Sequence, residues 1–506
     1  MTQADSGPDF DAFAAGLSAG RPQVIVRRVI DDLETPVSAY LKLGLHRPYA
    51  CLLESVEGGA VKGRYSILTL DPDVVWRCRS NAAELARGPA VAEGRFIPEP
   101  LPTLQSLRAL IAASKFDLPD GLPPMAAGLF GVFGYDMVRL LEPLGEPNPD
   151  PLNLPDAVLT RPSLVAIFDS VGQEIILVSA AYPDTGGDAR QAFDAAVARL
   201  DAFETGLREP LPVRAAPQPT PAPTFASPVD EAGFGQMVAR AKDYIAAGDI
   251  FQVVLSHRFS APWTEDSFAF YRSLRRQNPS PYLFYLNFEG FQLAGSSPEI
   301  LVRLKDGQVT IRPLAGTRMR GATPEADKAL EAELLADPKE RAEHLMLLDL
   351  GRNDVGRVAS AGTVTVTESY TVEFYSHVMH IVSNVVGRLA PEKDAIDALF
   401  AGFPAGTVSG APKVRACEII AELEPETRGA YAGGVGYFGP DGNMDSCIVL
   451  RTAVLKDGVM HVQAGAGIVA DSTAEYEQRE CEAKSGALLA AAREAVSLAK
   501  QAGYGQ

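Results

Sequence analysis

The chain is poor in cysteine. It has five, Cys51, Cys78, Cys417, Cys447 and Cys481, an odd and widely spaced set with no CxxC pair. Neither a disulfide framework nor a zinc cage is expected, and the five read as reduced thiols. Long apolar runs are missing too. The nearest, around Met125 to Val138, is broken by three glycines, well short of the ~20 residues needed to cross a bilayer. The start, MTQADSGPDFDAF, is acidic and lacks the basic-then-apolar order of a leader, so a cytoplasmic location is expected. Positive charge is scarce: 46 Lys and Arg against 64 Asp and Glu give a formal net charge of −18. A field of that sign repels phosphate backbones and anionic lipid, which argues against nucleic acid and membranes as partners. A Walker loop, an HExxH pair and a GxSxG elbow are absent.

What remains is ordinary globular composition, 46% hydrophobic and 22% charged over 506 residues, enough chain for two or three domains. Prolines crowd the stretch from Pro210 to Pro228, where they favour extended, semi-rigid chain. A boundary there divides the chain into a tail (1–22), an N-terminal lobe (23–208), a linker (209–229) and a C-terminal domain (230–495). Ser163 to Ala181 alternates like a hairpin, and Asp188 to Leu207 carries Phe193, Val197 and Leu200 at helical spacing. Phe234, Met237, Val238, Ala241 and Ile245 mark an amphipathic helix ending at Gly248. Asp-Gly pairs at 306–307, 441–442 and 457–458 sit between β-branched runs and predict hairpins. The expected class is α+β, with mixed, largely antiparallel sheets flanked by helices.

Gly465-Ala466-Gly467-Ile468-Val469-Ala470 fits a GxGxxA dinucleotide fingerprint. It follows a hairpin strand, however, and leaves no room for a second parallel strand with a ribose-binding acid, so a close-approach turn is the better expectation. Two ExxE units carry more chemistry. With Pro338 in a first turn, Glu340 and Glu343 lie one helical turn apart, with His344 adjacent. Asp471-Ser472 can cap a second helix bearing Glu477, Glu480 and, a turn on, Lys484. Four converging carboxylates repel unless a cation sits among them, and all-oxygen ligands suit Mg²⁺; the same spacing also occurs on solvated helix faces. The Gly406 to Lys413 tract (GTVSGAPK) can present backbone donors to an anion. His344, His377 and His380 fall close together in sequence but lack metal-site spacing.

Seven blocks, in order, resemble the chorismate-utilising enzymes, and component I of the anthranilate synthases among them. They are GDIFQVVLS (Gly248 to Ser256), SSPE (Ser296 to Glu299), RPLAGTRMRG (Arg312 to Gly321), KERAEHLMLLDLGRND (Lys339 to Asp354), SHVMHIVS (Ser376 to Ser383), the Gly406 to Lys413 tract, and GAGIVADS with the final ExxE. The resemblance implies a two-lobed fold in which Glu343 and Glu480, supported by Glu340 and Glu477, hold Mg²⁺ that receives the ring carboxylate of chorismate. It places Gly316, Thr317, Tyr431, Arg451, Lys484 and the Gly465-Ala466-Gly467 turn on the substrate, with Thr407 beside them. It makes Glu299 the acid for the departing 4-hydroxyl and gives His380 a part in the elimination of pyruvate.

Two positions discriminate within the family. Relatives that add water use a lysine base where this chain has Gln252, and an amide cannot deprotonate water. Relatives that use a covalent amine have lysine in PIKGT, where this chain has Pro313-Leu314-Ala315-Gly316-Thr317. Both absences fit direct attack by ammonia, giving anthranilate. No amidotransferase domain is expected beyond Gln506, so the resemblance implies a separate glutamine amidotransferase subunit, in a heterodimer or a dimer of heterodimers. Leu52-Leu53-Glu54-Ser55, Ser66 and the Asn278 to Leu283 segment (NPSPYL) are similar to the family's tryptophan feedback element. Glu54 would meet the ammonium and Ser55 the carboxylate, with Pro281, Tyr282 and Leu283 about the indole. Aminodeoxychorismate synthase component I and a non-catalytic sensor of chorismate or tryptophan are the alternatives.

Overall fold

The structure is a computed structural model describing residues 9–57, 61–212, 221–375 and 378–499. The middle of the proline-rich stretch, 213–220, and the Ser376-His377 pair of the SHVMH block lie outside the described residues. The architecture is α+β as expected: among the described residues, 21 strands join in one hydrogen-bonded network, and a further two pair separately. The strand pairs are antiparallel, and helices pack on the sheet faces.

Local chemistry explains most elements. The helix Glu231–Ala247 begins at Asp230, whose side chain accepts from Gly233 N, and ends at Gly248 in a left-handed conformation (φ 84°). Phe234, Met237, Val238 and Ala241 form its buried face. Asp306-Gly307 and Asp457-Gly458 have positive φ at both residues, as two-residue hairpin turns require; at 441–442 only the glycine does. The helix Pro338–Gly356 starts with its proline in the first turn, capped by Asp337. The helix Ala474–Ala499 starts later than expected. Thr473 caps it by accepting from Tyr476 N, while Ser472 accepts from Val469 N and closes the preceding turn.

Gly465, Ala466 and Gly467 are not a turn. They lie inside the strand Val459–Ile468, opposite Ser256, Leu255 and Val254 of the strand Gln252–Pro262. The glycines answer to crowding there: a Cβ on Gly465 would stand 2.8 Å from Tyr431 Oη, and one on Gly467 2.4 Å from Gln252 Nε2.

The N-terminal and C-terminal segments share the sheet. Cys51–Glu54 pairs with Tyr282–Phe288, and Leu129–Phe133 with Gly434–Phe438. Three of the hydrophobic clusters draw buried residues from both halves. The Gln252–Pro262 strand is pinned by a buried ion pair, Arg428 with Glu424 at 2.6 Å. Glu424 Oε1 also accepts from Ser256 N and Oγ, and Arg428 donates to the carbonyls of Val254 and Val408. Removing one partner of such a pair strands a buried charge and costs about 3–5 kcal/mol. Arg428→Met is therefore expected to lower the unfolding free energy in urea by about that much, and the double change Arg428→Met with Glu424→Gln by clearly less.

Candidate active site

Three neighbouring strands assemble one wall. In the pairing of Leu314–Met319 with Val378–Arg388, Thr317 stands opposite His380, and on the other side Glu373 of Thr365–Phe374 stands opposite the same histidine. His380 Nδ1 lies 3.0 Å from the Gly316 carbonyl and 3.1 Å from Thr317 Oγ1. A carbonyl can only accept, so Nδ1 carries the proton and Nε2 keeps its lone pair. Burial lowers the His380 pKa to about 4, so the ring is neutral at pH 7. Gly316 has φ 68°, and Glu340 Oε2 lies 3.2 Å from where its Cβ would be. Only glycine fits that corner without strain.

Glu299 begins where the strand Phe291–Ser297 has ended, and it is 7% exposed. Burial raises its pKa to about 8; Thr407, the Leu314 backbone and Lys484 oppose the rise in part. Thr407 stands close enough to matter electrostatically, yet Oγ1 forms no hydrogen bond of normal geometry. Gln252 Oε1 is likewise buried without a partner.

The helices Pro338–Gly356 and Ala474–Ala499 supply the acids. Burial, then Glu340, then Glu480 raise the Glu343 pKa, so residues of both helices lie within repulsive reach. Glu477 is 4% exposed, its pKa is raised by burial first, and its Oε2 has no partner. Glu340 is held by Arg318 Nη1 at 2.8 Å, and Glu480 by Lys484 Nζ at 2.7 Å. Lys484 also donates to the Gly465 carbonyl at 2.9 Å. Among the described residues, no group of three or more His, Cys, Asp or Glu converges as a ready-made metal cage. Mg²⁺ does not require one, because it keeps several waters and commonly takes one or two carboxylates. Mutual repulsion across the helices and an orphaned carboxylate oxygen fit a hydrated hard cation.

Arg451, with φ 46°, carries the complementary charge. Burial lowers its pKa, and among the described residues no carboxylate pairs with it. Tyr431 packs over Gly465 and near the Arg428 guanidinium. Other members of the motifs are structural. His344 is fully buried, with Nε2 2.6 Å from Ser383 Oγ, and Lys413 turns away from the Gly406 tract to pair with Asp354 at 2.9 Å.

A cavity of about 920 Å³ is lined by residues of this wall and of the N-terminal segment. Glu299, Leu314 and Tyr375 are in its lining, as are Glu54, Ser55, Pro281, Tyr282 and Leu283. Glu54 is already engaged: Arg275 grips both its oxygens, and Tyr271 Oη donates to Oε2 at 2.6 Å. Ser66 is not in the lining, which takes Tyr65 and Ile67 instead, since alternate residues of a strand face opposite ways. Sequence reasoning missed Arg303, Arg312, Val435, Tyr437 and Asp445, all in the wall. The 434–448 hairpin was legible from Asp441-Gly442, but nothing local says which cavity a hairpin will line.

Residues 76–490 match the family of chorismate binding enzymes, and the chain belongs to it. It is 54% identical to anthranilate synthase component 1 of Cereibacter sphaeroides, over 98% of this chain and 99% of that protein. It is 48% identical to the protein of the same name from Pseudomonas putida, over 93% and 94%. Among solved structures, anthranilate synthase component I from Streptococcus pneumoniae superposes with a TM-score of 0.75 at 38% identity, covering 91% of this chain and 98% of that one. The menaquinone-specific isochorismate synthase of Escherichia coli shares the fold, with a TM-score of 0.70 at 20% identity over 94% and 99%.

If the two acidic helices hold a cation, saturating Mg²⁺ should raise the melting temperature of the wild type and leave Glu343→Gln with Glu480→Gln unmoved. The metal-free double variant should melt above the metal-free wild type, because the repulsion is gone. An equal Mg²⁺ response in both would remove the cation from this cleft.

Proposed function

We propose that this chain converts chorismate and ammonia to anthranilate and pyruvate, with Mg²⁺ held by Glu343 and Glu480 and aided by Glu340 and Glu477. When bound, the ion supplies positive charge for the ring carboxylate. The observation that carries the reading is a protonated, buried Glu299 and an unprotonated His380 on either side of Tyr375, which lines the cavity with Glu299 and touches the His380 ring: an acid and a base, each in the form its role needs at neutral pH. Arg451, a cation without an acid partner, suits the second carboxylate of the substrate, and Tyr431, Thr317 and the backbone of Gly465 to Gly467 shape the pocket around the ring. Lys484 stands between Glu480 and that backbone.

The chemistry follows from what each group can give. Ammonia attacks carbon 2 with its own lone pair while the carbon 4 hydroxyl departs as water, taking the Glu299 proton. The ammonium formed at carbon 2 returns a proton to the Glu299 carboxylate or to solvent. In the second step the carbon 2 hydrogen leaves as a proton, the ring becomes aromatic, and the bond to the enolpyruvyl oxygen breaks. His380 Nε2 is free to take that proton, and protonation of the released enolate gives pyruvate. Gln252 and Thr407 border the attacking face as neutral hydrogen-bonding groups. Neither can make hydroxide from water, so the amide favours the amine over the hydrolytic outcome.

Ammonia would come from glutamine through a separate amidotransferase subunit, consistent with the "component 1" of the relatives' name. Tryptophan would occupy the Glu54 end of the cavity as inhibitor, with its ammonium sharing the Glu54 carboxylate with Arg275, its carboxylate near Ser55, and its indole against Pro281, Tyr282 and Leu283. A cytoplasmic placement rests on all five cysteines being free and buried; among the described residues no helix is long and apolar enough to cross a membrane.

Incubation with chorismate, Mg²⁺ and ammonium chloride should yield anthranilate, identified by fluorescence and mass; a hydroxylated or 4-amino product would overturn the reading. Glu299→Gln should bind chorismate nearly as well and turn over ~10²- to 10⁴-fold more slowly. Its stability offers an independent check. Folded Glu299 keeps its proton up to about pH 8, whereas the unfolded chain releases it near 4.5, so wild-type stability falls as pH rises through that window. The melting temperature of Glu299→Gln should therefore gain on the wild type between pH 5 and 8.5. Ser55→Phe should weaken tryptophan inhibition at unchanged basal turnover, read by titrating tryptophan into the ammonium-dependent assay; equal inhibition would take Ser55 out of the site.

A further inference from the structure

Arg312, Glu373 and Tyr375 take no part in the steps above, yet all three line the large cavity; Glu373 stands beside His380 on the strand away from Thr317, and the Tyr375 ring touches it. Arg312 Nη2 donates to Glu373 Oε1 and, at 3.3 Å, to Glu368 Oε2. Tyr375 Oη donates to Glu373 Oε2 at 3.0 Å. The Tyr375 ring then meets His380 edge to face, with centroids 5.4 Å apart and planes at 67°. Tyr375 is 8% exposed, and its backbone is fixed on both sides, by N donating to Val378 O at 2.8 Å and by Arg320 Nη1 donating to its carbonyl at 2.6 Å. Only its side chain is left to respond, and the partner of its hydroxyl is Glu373.

The other arginines of the cavity wall are differently committed. Arg64 is tied to Asp169, and Arg303 to Asp445 and Tyr282. Arg312 alone among these arginines is joined through one carboxylate to a residue that touches His380. Nδ1 of the histidine is anchored to Gly316 and Thr317, so the direction of Nε2 depends on the tilt of the ring about that anchor. The Tyr375 edge is what the ring leans on.

We propose that Tyr375 is a positioning residue for His380, and that the Arg312–Glu373 pair holding it lets an amino-acid carboxylate in the cavity be sensed at the histidine. The proposal rests on the reading of the site as a chorismate-aminating centre with an inhibitor pocket. The inhibitor's carboxylate, near Ser55 in the cavity that Arg312 also lines, competes with Glu373 for the guanidinium. Glu373 then shifts its hold on Tyr375 Oη, the ring moves, and Nε2 turns away from the carbon 2 hydrogen. No bond is made or broken, and the inhibitor need not overlap the substrate.

The test uses the full chain with chorismate, Mg²⁺ and ammonium chloride, and tryptophan binding measured by calorimetry. Wild type comes first: no anthranilate at all defeats the functional reading itself, and no heat with tryptophan defeats the inhibitor pocket, whatever Tyr375 does. With wild type active, Tyr375→Phe should lose on the order of 10-fold in kcat with chorismate KM held within about twofold. Tyr375→Ala should lose more, so that the phenyl ring of the Phe variant counts as partial rescue. Arg312→Met should bind tryptophan more weakly, and even at saturating tryptophan the maximal inhibition of kcat should shrink. Wild-type kcat and full inhibition in Tyr375→Phe would overturn the proposal, as would kcat, KM and melting temperature all worsening together. Failure of tryptophan binding alone leaves the split between kcat and KM to decide the positioning role.

Discussion

Glu343 lies within repulsive reach of Glu340 on its own helix and Glu480 on the other, while Arg451 sits half-buried with no acid beside it among the described residues. Like charges are crowded together there, and a guanidinium is left without an acid beside it. Such an arrangement lowers stability in the free protein and recovers the loss on binding. It also explains how a chain of net charge −18 can admit an anionic ring. Attraction has to be local.

The sheet makes this local arrangement possible. Thr317, His380 and Glu373 come from three strands joined side by side, so the spacing of the reactive wall is set by backbone hydrogen bonds rather than by loops. The buried Glu424–Arg428 pair does the same for Gln252–Pro262, which carries Gln252. Rigid elements keep Glu299 dry, and dryness is what keeps it protonated. Held in solvent, the same carboxyl would ionise near its ordinary value and lose its use as an acid at neutral pH.

Much of this was legible in the chain. The ExxE pairs, the Asp-Gly hairpins, the helix ending at Gly248 and the ordered family blocks are local signals, and local signals survive folding. What was not legible depends on partners distant in sequence. Gly465 and Gly467 look like a turn until the strand Gln252–Pro262 is laid against them, and only then do they become gaps for Tyr431 and Gln252. Thr473 rather than Asp471-Ser472 caps the last helix because Ser472 is spent on Val469. Ser66 carries a family motif yet faces away from the cavity, since strand alternation gives that face to Tyr65 and Ile67. Arg312 opened one of the family blocks without a role attached and Tyr375 carried no signal; both become interesting only by who stands next to them.

The short strand Cys51–Glu54 lies hydrogen-bonded between Tyr65–Arg79 and Tyr282–Phe288. The segment that bears the proposed effector element is thus woven into the catalytic sheet, not hung beside it. Deleting it would bare the edge of Tyr282–Phe288 and unseat Glu54 from Arg275, leaving a cation half buried and a strand open to aggregation. Single substitutions could alter what that segment binds, but its removal would take an inner strand out of the sheet.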